Sequence, residues 1–241
     1  MKKIMTSRIV LAATALALIA GSISAYQLLN PRRTWQNTPT YIVDNGSLAG
    51  VTNPTNKVIN AITSNDAWNG AGSGTVINAT SGSMANFTLG DNIPMLNFED
   101  PTGQCSGNCL AATFTGFFTR RGRRAIINDA DIVTNTAHPW TSVGDGCSNE
   151  FFIEGVQVHE AGHGLGLGHS SVSGATMFPS VGACDNGPAT TAQDDEDGIC
   201  DLYGGCGGGG CTLGQKGDAC TANNQCCSGK CRGPSGRMTC K

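Results

Sequence analysis

The chain has 241 residues, of which 39% are hydrophobic, so it can bury a core of ordinary domain size and carry a small appendage. Its 34 glycines and a charged fraction of 14% indicate many loops, whereas the recurring apolar runs exclude a disordered chain. The formal net charge of −3 argues against nucleic acid or an anionic membrane as the main partner.

The first 25 residues have the pattern of an export signal. Three basic residues precede an apolar stretch over residues 9–20, and small residues follow up to Ala25. That stretch is too short for a stable transmembrane helix, so we predict a signal peptide over residues 1–25 rather than an uncleaved anchor. Cleavage would remove three positive charges and change the net charge from −3 to −6. We expect a secreted chain (extracellular or periplasmic) that acts as a monomer without membrane insertion or nucleic acid.

The next elements predict a sheet followed by helices. Alternating and β-branched runs predict strands at residues 40–43, 75–78, 93–98, 110–119 and 125–133. Asn53-Pro54 predicts the start of a first helix, because Pro is favoured at the first helical position. Further helices are predicted over residues 151–165 and 190–203, the latter with acidic residues near its positive dipole end. This order predicts an α+β fold.

The second predicted helix contains histidines with the spacing of a metal site. His159 and His163 are four residues apart, so they share one helix face, and Glu160 lies beside the first of them. Gly166 can leave the helix with a positive φ, which would bring His169 back towards the other two. Three neutral imidazoles with one open position are typical of a catalytic zinc site rather than a closed structural one.

This H-E-x-x-H-x-x-G-x-x-H pattern is the metzincin motif of zinc metalloproteases. The residues after it resemble the matrixin branch, since Ser170 follows the third His and Met177 stands at the Met-turn position. Residues 194–204 are similar to the last matrixin helix. The resemblance implies a metzincin-type catalytic domain over residues 26–204, with a twisted mixed sheet plus three helices.

The resemblance also implies a mechanism. One zinc ion, held by His159, His163 and His169, would polarise the scissile carbonyl and lower the pKa of a water molecule. Glu160 would take a proton from that water as general base and return it as general acid. Met177 would form an apolar floor beneath the zinc. The expected function is therefore a secreted zinc-dependent endopeptidase.

A substrate position follows from the same resemblance. Leu110, Ala111 and Ala112 are similar to the edge strand over the matrixin cleft. Extended protein or peptide substrates would pair with this strand by β-augmentation. An alternative is a secreted binding or inhibitor protein that acts through its C-terminal module on a catalytically idle scaffold. Glu160 favours the enzyme, because an idle scaffold has no reason to keep it beside intact ligands.

Further metals are less clearly indicated. The chain has four histidines, and the three assigned above leave His138 alone, so no structural zinc is expected. Calcium would also fit the resemblance. The loop carboxylates for it are Asp91, Asp100, Asp129 and Asp131, although their spacing matches no known ligand set.

The twelve cysteines all follow residue 104. An even number behind an export signal predicts disulfides rather than metal ligands or free thiols. Nearest-neighbour spacing in the large domain favours Cys105–Cys109, Cys147–Cys184 and Cys200–Cys206.

A glycine-rich run over residues 205–210 predicts a linker to a second, much smaller part. Residues 211–241 hold six cysteines in the spacing C-x8-C-x5-C-C-x3-C-x8-C, and the segment is too short for a core without disulfides. The spacing resembles the knottins, and that resemblance implies pairing of the first cysteine with the fourth, second with fifth, and third with sixth. The module would either bind substrate or a surface, or serve as a stable cap.

Overall fold

The structure is a computed structural model. It describes residues 25–72, 74, 77–119, 124–204, 219–220, 231–233 and 238–240. The predicted signal peptide (except Ala25), the linker over residues 205–210 and most of the module over residues 211–241 lie outside the described residues, and they stay predictions. Within the described ranges, no helix has the length and apolar character needed to cross a bilayer.

The large domain is built on one mixed, six-stranded sheet. The strands are β1 (Arg33–Thr34), β2 (Thr40–Asp44), β3 (Asn78–Gly82), β4 (Met95–Asn97), β5 (Ala111–Phe118) and β6 (Ala125–Thr134). β6 pairs in parallel with β1 and β4, and β2 joins β4 to β3. β5 runs antiparallel to β6 and forms an edge of the sheet. Two further strands, β7 (Trp140–Thr141) and β8 (Phe151–Phe152), form a separate parallel pair.

Three α-helices complete the domain, so the predicted fold class is confirmed. They are α1 (Pro54–Ile62), α2 (Ile153–Gly164) and α3 (Gln193–Tyr203). Alternate residues of the central strands point towards α1 and α2 and form one core with them. These strand residues are Tyr41, Val43, Leu96, Ala130 and Ile132, and Phe98, directly after β4, joins them in the core. Burial of each large apolar side chain contributes on the order of 2 kcal/mol.

The third strand lies further along the chain than predicted. A strand was expected at residues 75–78, but β3 begins at Asn78 and continues to Gly82. The side-chain amide of Asn69 accepts a hydrogen bond from the Ile77 N–H at 2.6 Å and donates one to the Ile77 carbonyl at 3.1 Å. Because Asn69 occupies both backbone groups of Ile77, the ladder with β2 can begin only at the next residue.

The second and third helices both begin later than predicted. The predicted helix over residues 151–165 begins at Ile153, because Phe151 and Phe152 pair with β7 first. The helix predicted over residues 190–203 begins at Gln193, after a separate 3-10 turn at Gly187–Ala189. Strand pairing therefore shortened the first of these helices, whereas a local 3-10 turn precedes the second.

Two of the three predicted disulfides of the large domain are confirmed, Cys105–Cys109 and Cys147–Cys184. Cys200 is also disulfide-bonded, but Cys206 lies outside the described residues. Cys220, in the C-terminal module, is disulfide-bonded as well. In that module, β9 (Cys231–Arg232) and β10 (Thr239–Cys240) form a short antiparallel pair.

Two carboxylates are buried on β6, on the side of the sheet away from the helices. Asp131 accepts hydrogen bonds from the backbone N–H groups of Gly90 at 3.3 Å and Met95 at 3.2 Å. Asp129 accepts one from Asn92 at 3.1 Å. Both side chains are almost fully buried. No cluster of metal-ligand atoms forms here within the described part of the chain, so the calcium prediction gains no support.

Asp131 should make the stability of the domain fall as the pH rises. Burial, and then the neighbouring Asp129, raise the pKa of Asp131 to about 7 in the folded chain. The unfolded value is about 3.9. The folded state therefore binds a proton more tightly, and this stabilisation is complete below the unfolded pKa and is lost as the pH rises through about 7.

Urea unfolding at pH 5 and pH 8 measures this effect. Asp131→Asn should lose less stability between the two values than the wild type does, by at most about 1.4 kcal/mol per pH unit. Asp66→Asn, at an exposed aspartate, is the control and should follow the wild type. Equal losses in wild type and Asp131→Asn would contradict the assignment.

Candidate metal centre and active site

The two histidines of helix α2 are its only partly exposed residues. Ten of its twelve residues are buried, and the other two are His159 and His163, which lie on one face with ring centroids 4.8 Å apart. The buried side chain of Trp68 stabilises the helix, because its indole N–H donates to the Val158 carbonyl at 2.7 Å. Gly162 lets this contact form, since a Cβ there would overlap both Trp68 and the sulfur of Met177.

The chain turns back immediately after α2. Gly166 has φ +106°, which is the left-handed region predicted for it. The turn places His169 Nε2 3.2 Å from His163 Nε2. One ring nitrogen from each of the three histidines lies within 4.8 Å of the other two, so the structure brings the predicted ligands together.

Substitution of Gly166 by Ala should disturb this turn. The added Cβ would lie 2.5 Å from the Arg33 carbonyl oxygen and would force a side chain into a positive φ. We expect a loss of about 1–3 kcal/mol in the free energy of unfolding and weaker zinc binding. Thermal unfolding and metal titration measure the two effects.

Gly174→Ala is the matched control, because Gly174 is exposed and has open space around it. It should behave like the wild type. A Gly166→Ala variant with unchanged stability and zinc affinity would show that the turn does not depend on glycine.

The other ring nitrogens orient the histidines. His159 Nδ1 lies 2.6 Å from the Thr176 carbonyl, and His163 Nδ1 lies 2.8 Å from the Leu167 carbonyl. A carbonyl accepts only, so Nδ1 carries the proton in both rings and Nε2 is left for a metal. Burial lowers the pKa of His163 and of His169, which favours the neutral form that a metal requires.

These residues fit a zinc ion. Tetrahedral zinc with Zn–N bonds of about 2.0–2.1 Å places its ligand nitrogens about 3.3 Å apart. The distance of 3.2 Å between His163 and His169 agrees with that value. The other candidate ligand group among the described residues includes Cys147 and Cys184, whose sulfurs are joined in a disulfide. His138 is not in this cluster, although it lines the same cavity, and its Nε2 lies 2.9 Å from the Gly107 carbonyl.

The Met-turn is held by a residue that sequence reasoning missed. Met177 is 1% exposed and packs against α2 at Gly162. The buried carboxylate of Asp195 accepts the backbone N–H groups of Thr176 at 2.7 Å, Met177 at 3.0 Å and Ala192 at 2.9 Å. The acidic run at the start of α3 was interpreted through the helix dipole and through its similarity to the last matrixin helix, and neither distinguished this carboxylate from its neighbours.

A cavity of about 380 Å³ adjoins the histidines. Glu160 lines it, together with apolar side chains such as Phe151, Val156 and Val181. Of the predicted substrate residues, Leu110 and Ala111 also line the cavity. Ala112 does not; it pairs with Val133 in the ladder between β5 and β6.

Together, the mixed sheet, the three helices and the three clustered histidines define a metzincin-type domain. Residues 94–204 match the family model described as Matrixin. This match runs from β4 to the end of α3. Over these residues the chain is therefore similar to the matrixin branch of the metzincins.

Curated relatives match short stretches of the chain. Metalloendoproteinase 5-MMP of Arabidopsis thaliana is 55% identical over 53 residues, which is 22% of this chain and 14% of that protein. Metalloendoproteinase 1 of Glycine max is 46% identical over 74 residues, 27% of this chain and 22% of that protein. Human Matrilysin is 43% identical over 65 residues, which is 27% of this chain and 23% of that protein. The chain thus spans less than a quarter of the length of these relatives.

Proposed function

We propose that this chain is a secreted zinc-dependent endopeptidase. The observation that carries the proposal is the convergence of three histidine nitrogens within 4.8 Å, beside a cavity that Glu160 also lines. The similarity to two plant metalloendoproteinases supports the same function.

The residues of the site divide the chemistry between them. His159, His163 and His169 would hold the zinc ion, which supplies a Lewis acid for the scissile carbonyl and makes a water molecule more acidic. Glu160 accepts a proton from the attacking water as the water oxygen bonds to the carbonyl carbon. Glu160 then passes that proton to the leaving amine nitrogen as the C–N bond breaks.

The substrate would lie along β5. This strand pairs with β6 on one side only, and its other edge is unpaired within the described sheet. An extended peptide can add to such an edge by backbone hydrogen bonds. Leu110 and Ala111, on the cavity wall, would then contact the side chain that enters the cavity, with Ala112 next along the strand.

Secretion is part of the proposal. The predicted signal peptide over residues 1–25 would direct export, and the disulfides of the described domain suit an oxidising compartment. The module over residues 211–241 would act as an accessory to the catalytic domain.

Peptide hydrolysis by the purified full-length chain tests the proposal. We expect about one zinc ion per chain, and cleavage of casein that a zinc chelator abolishes and added zinc restores. A peptide library with the same sample would give the cleavage preference. If zinc-loaded protein cleaved no peptide in the library, the endopeptidase function would be excluded. The alternative, a binding or inhibitor protein that acts through its C-terminal module, would then be favoured.

A further inference from the structure

The carboxylate of Glu160 has a hydrogen-bond donor on β5. Thr113 Oγ1 lies 2.6 Å from Glu160 Oε2 and 2.9 Å from the Glu160 carbonyl oxygen. The two residues are 47 positions apart in the sequence, and the contact joins the edge strand to the middle of α2. We propose that Thr113 is a positioning residue that holds the Glu160 carboxylate in its working orientation, an inference that rests on the proposed function.

The carboxylate is the acceptor of the single hydroxyl proton. A separation of 2.6 Å is typical of a charge-assisted O–H···O⁻ bond, whereas the carbonyl contact is longer. Thr113 is itself well fixed, because its backbone is in register with Ile132 of β6. Its β-branched side chain also has few rotamers. The donor is therefore rigid, and the flexible glutamate takes its position from it.

The bond leaves one carboxylate oxygen for chemistry. In the described part of the chain, Thr113 is the one side chain that donates to Glu160, and no donor contacts Oε1. Glu160 is 6% exposed and lines the cavity, so the accessible oxygen faces the cleft. Oε1 is thus the atom that receives the proton from water. Because Thr113 and Ala111 share β5, the strand assigned to the peptide also orients the base.

Two substitutions separate the hydroxyl from the shape of the side chain. Thr113→Val removes the donor and keeps the volume, and it should lower kcat about tenfold or more with KM within about twofold. Thr113→Ser keeps the donor and should recover most of the rate. Thr63→Val makes the same change directly after α1, where the hydroxyl donates to the Ile59 carbonyl, and it should leave kcat unchanged.

The outcomes distinguish positioning from other roles. A higher KM at constant kcat would show that Thr113 shapes the substrate site, and a failure of Ser to rescue would show a packing role. Either result overturns the proposal. Zinc content should stay at one ion per chain in every variant.

A second readout does not depend on hydrolysis. The fall in melting temperature caused by Thr113→Val should be clearly smaller when Glu160 is already replaced by Ala, because only the longer contact with the backbone carbonyl of residue 160 is then left to lose. Additive changes would refute the bond itself. An inactive wild type with clear coupling would instead refute the proposed function, so the two failures are distinguishable.

Discussion

Replacement of Glu160 by Gln should lower peptide hydrolysis by about 10²- to 10⁴-fold while zinc remains bound. Glutamine has the size of glutamate, and its amide oxygen can still accept the hydroxyl of Thr113. It cannot take a proton from water at neutral pH, so only the acid–base step is lost. Initial rates with a fluorogenic peptide, and metal analysis of the same samples, measure the two properties separately.

The control for this variant is Glu99→Gln, the same substitution at an exposed position. It should retain the wild-type rate. If Glu160→Gln kept more than about a tenth of the activity, a different residue would have to be the general base.

Replacement of Asp195 by Ala should have the largest effect on the fold of the site. The substitution leaves three backbone N–H groups, at Thr176, Met177 and Ala192, without their carboxylate acceptor. Each buried donor left unsatisfied costs about 1–3 kcal/mol, so we expect a loss of about 3 kcal/mol or more in the free energy of unfolding. Urea unfolding of the variant and of the wild type measures this loss.

Asp195→Ala should also lower the zinc affinity, by about 10- to 100-fold. The reason is that the Thr176 carbonyl orients the ring of His159, while Asp195 accepts the backbone N–H of Thr176. The control is Asp197→Ala on the same helix. Within the described part of the chain, the Asp197 carboxylate accepts a hydrogen bond from the Gln193 side chain alone. This control should change stability by about 0.5 kcal/mol or less. Similar losses in both variants would show that Asp195 acts through charge alone.

Local patterns predicted the parts of the site that are close together in the sequence. The histidine spacing and the glycine turn lie within eleven consecutive residues, so helix geometry alone indicates their convergence. The strand–helix order and two disulfides of the large domain were predicted for the same reason, because each followed from a short run or from neighbouring cysteines.

Contacts between distant segments could not be predicted in this way. Thr113 and Glu160 are 47 residues apart, and no periodicity of β5 indicates which hydroxyl will meet α2. The N-terminal segment is a second case. The backbone N–H of Tyr26 donates to Asp194 at 3.0 Å across 168 residues, and Gly168 donates its N–H to the Gln27 carbonyl at 2.8 Å. Such contacts depend on how the sheet and helices pack, which one sequence does not determine locally.

The Cys147–Cys184 disulfide closes a covalent ring across a sequence separation of 37. The three histidines and Met177 all lie inside this ring. In the loop-entropy description, closing a ring of this size removes on the order of 4 kcal/mol of conformational freedom from the unfolded chain. The metal-binding segment therefore has fewer accessible conformations when the domain unfolds or the metal leaves. The disulfide can accordingly keep the three histidines close to one another while zinc is absent, so that zinc can bind again without refolding of the whole chain.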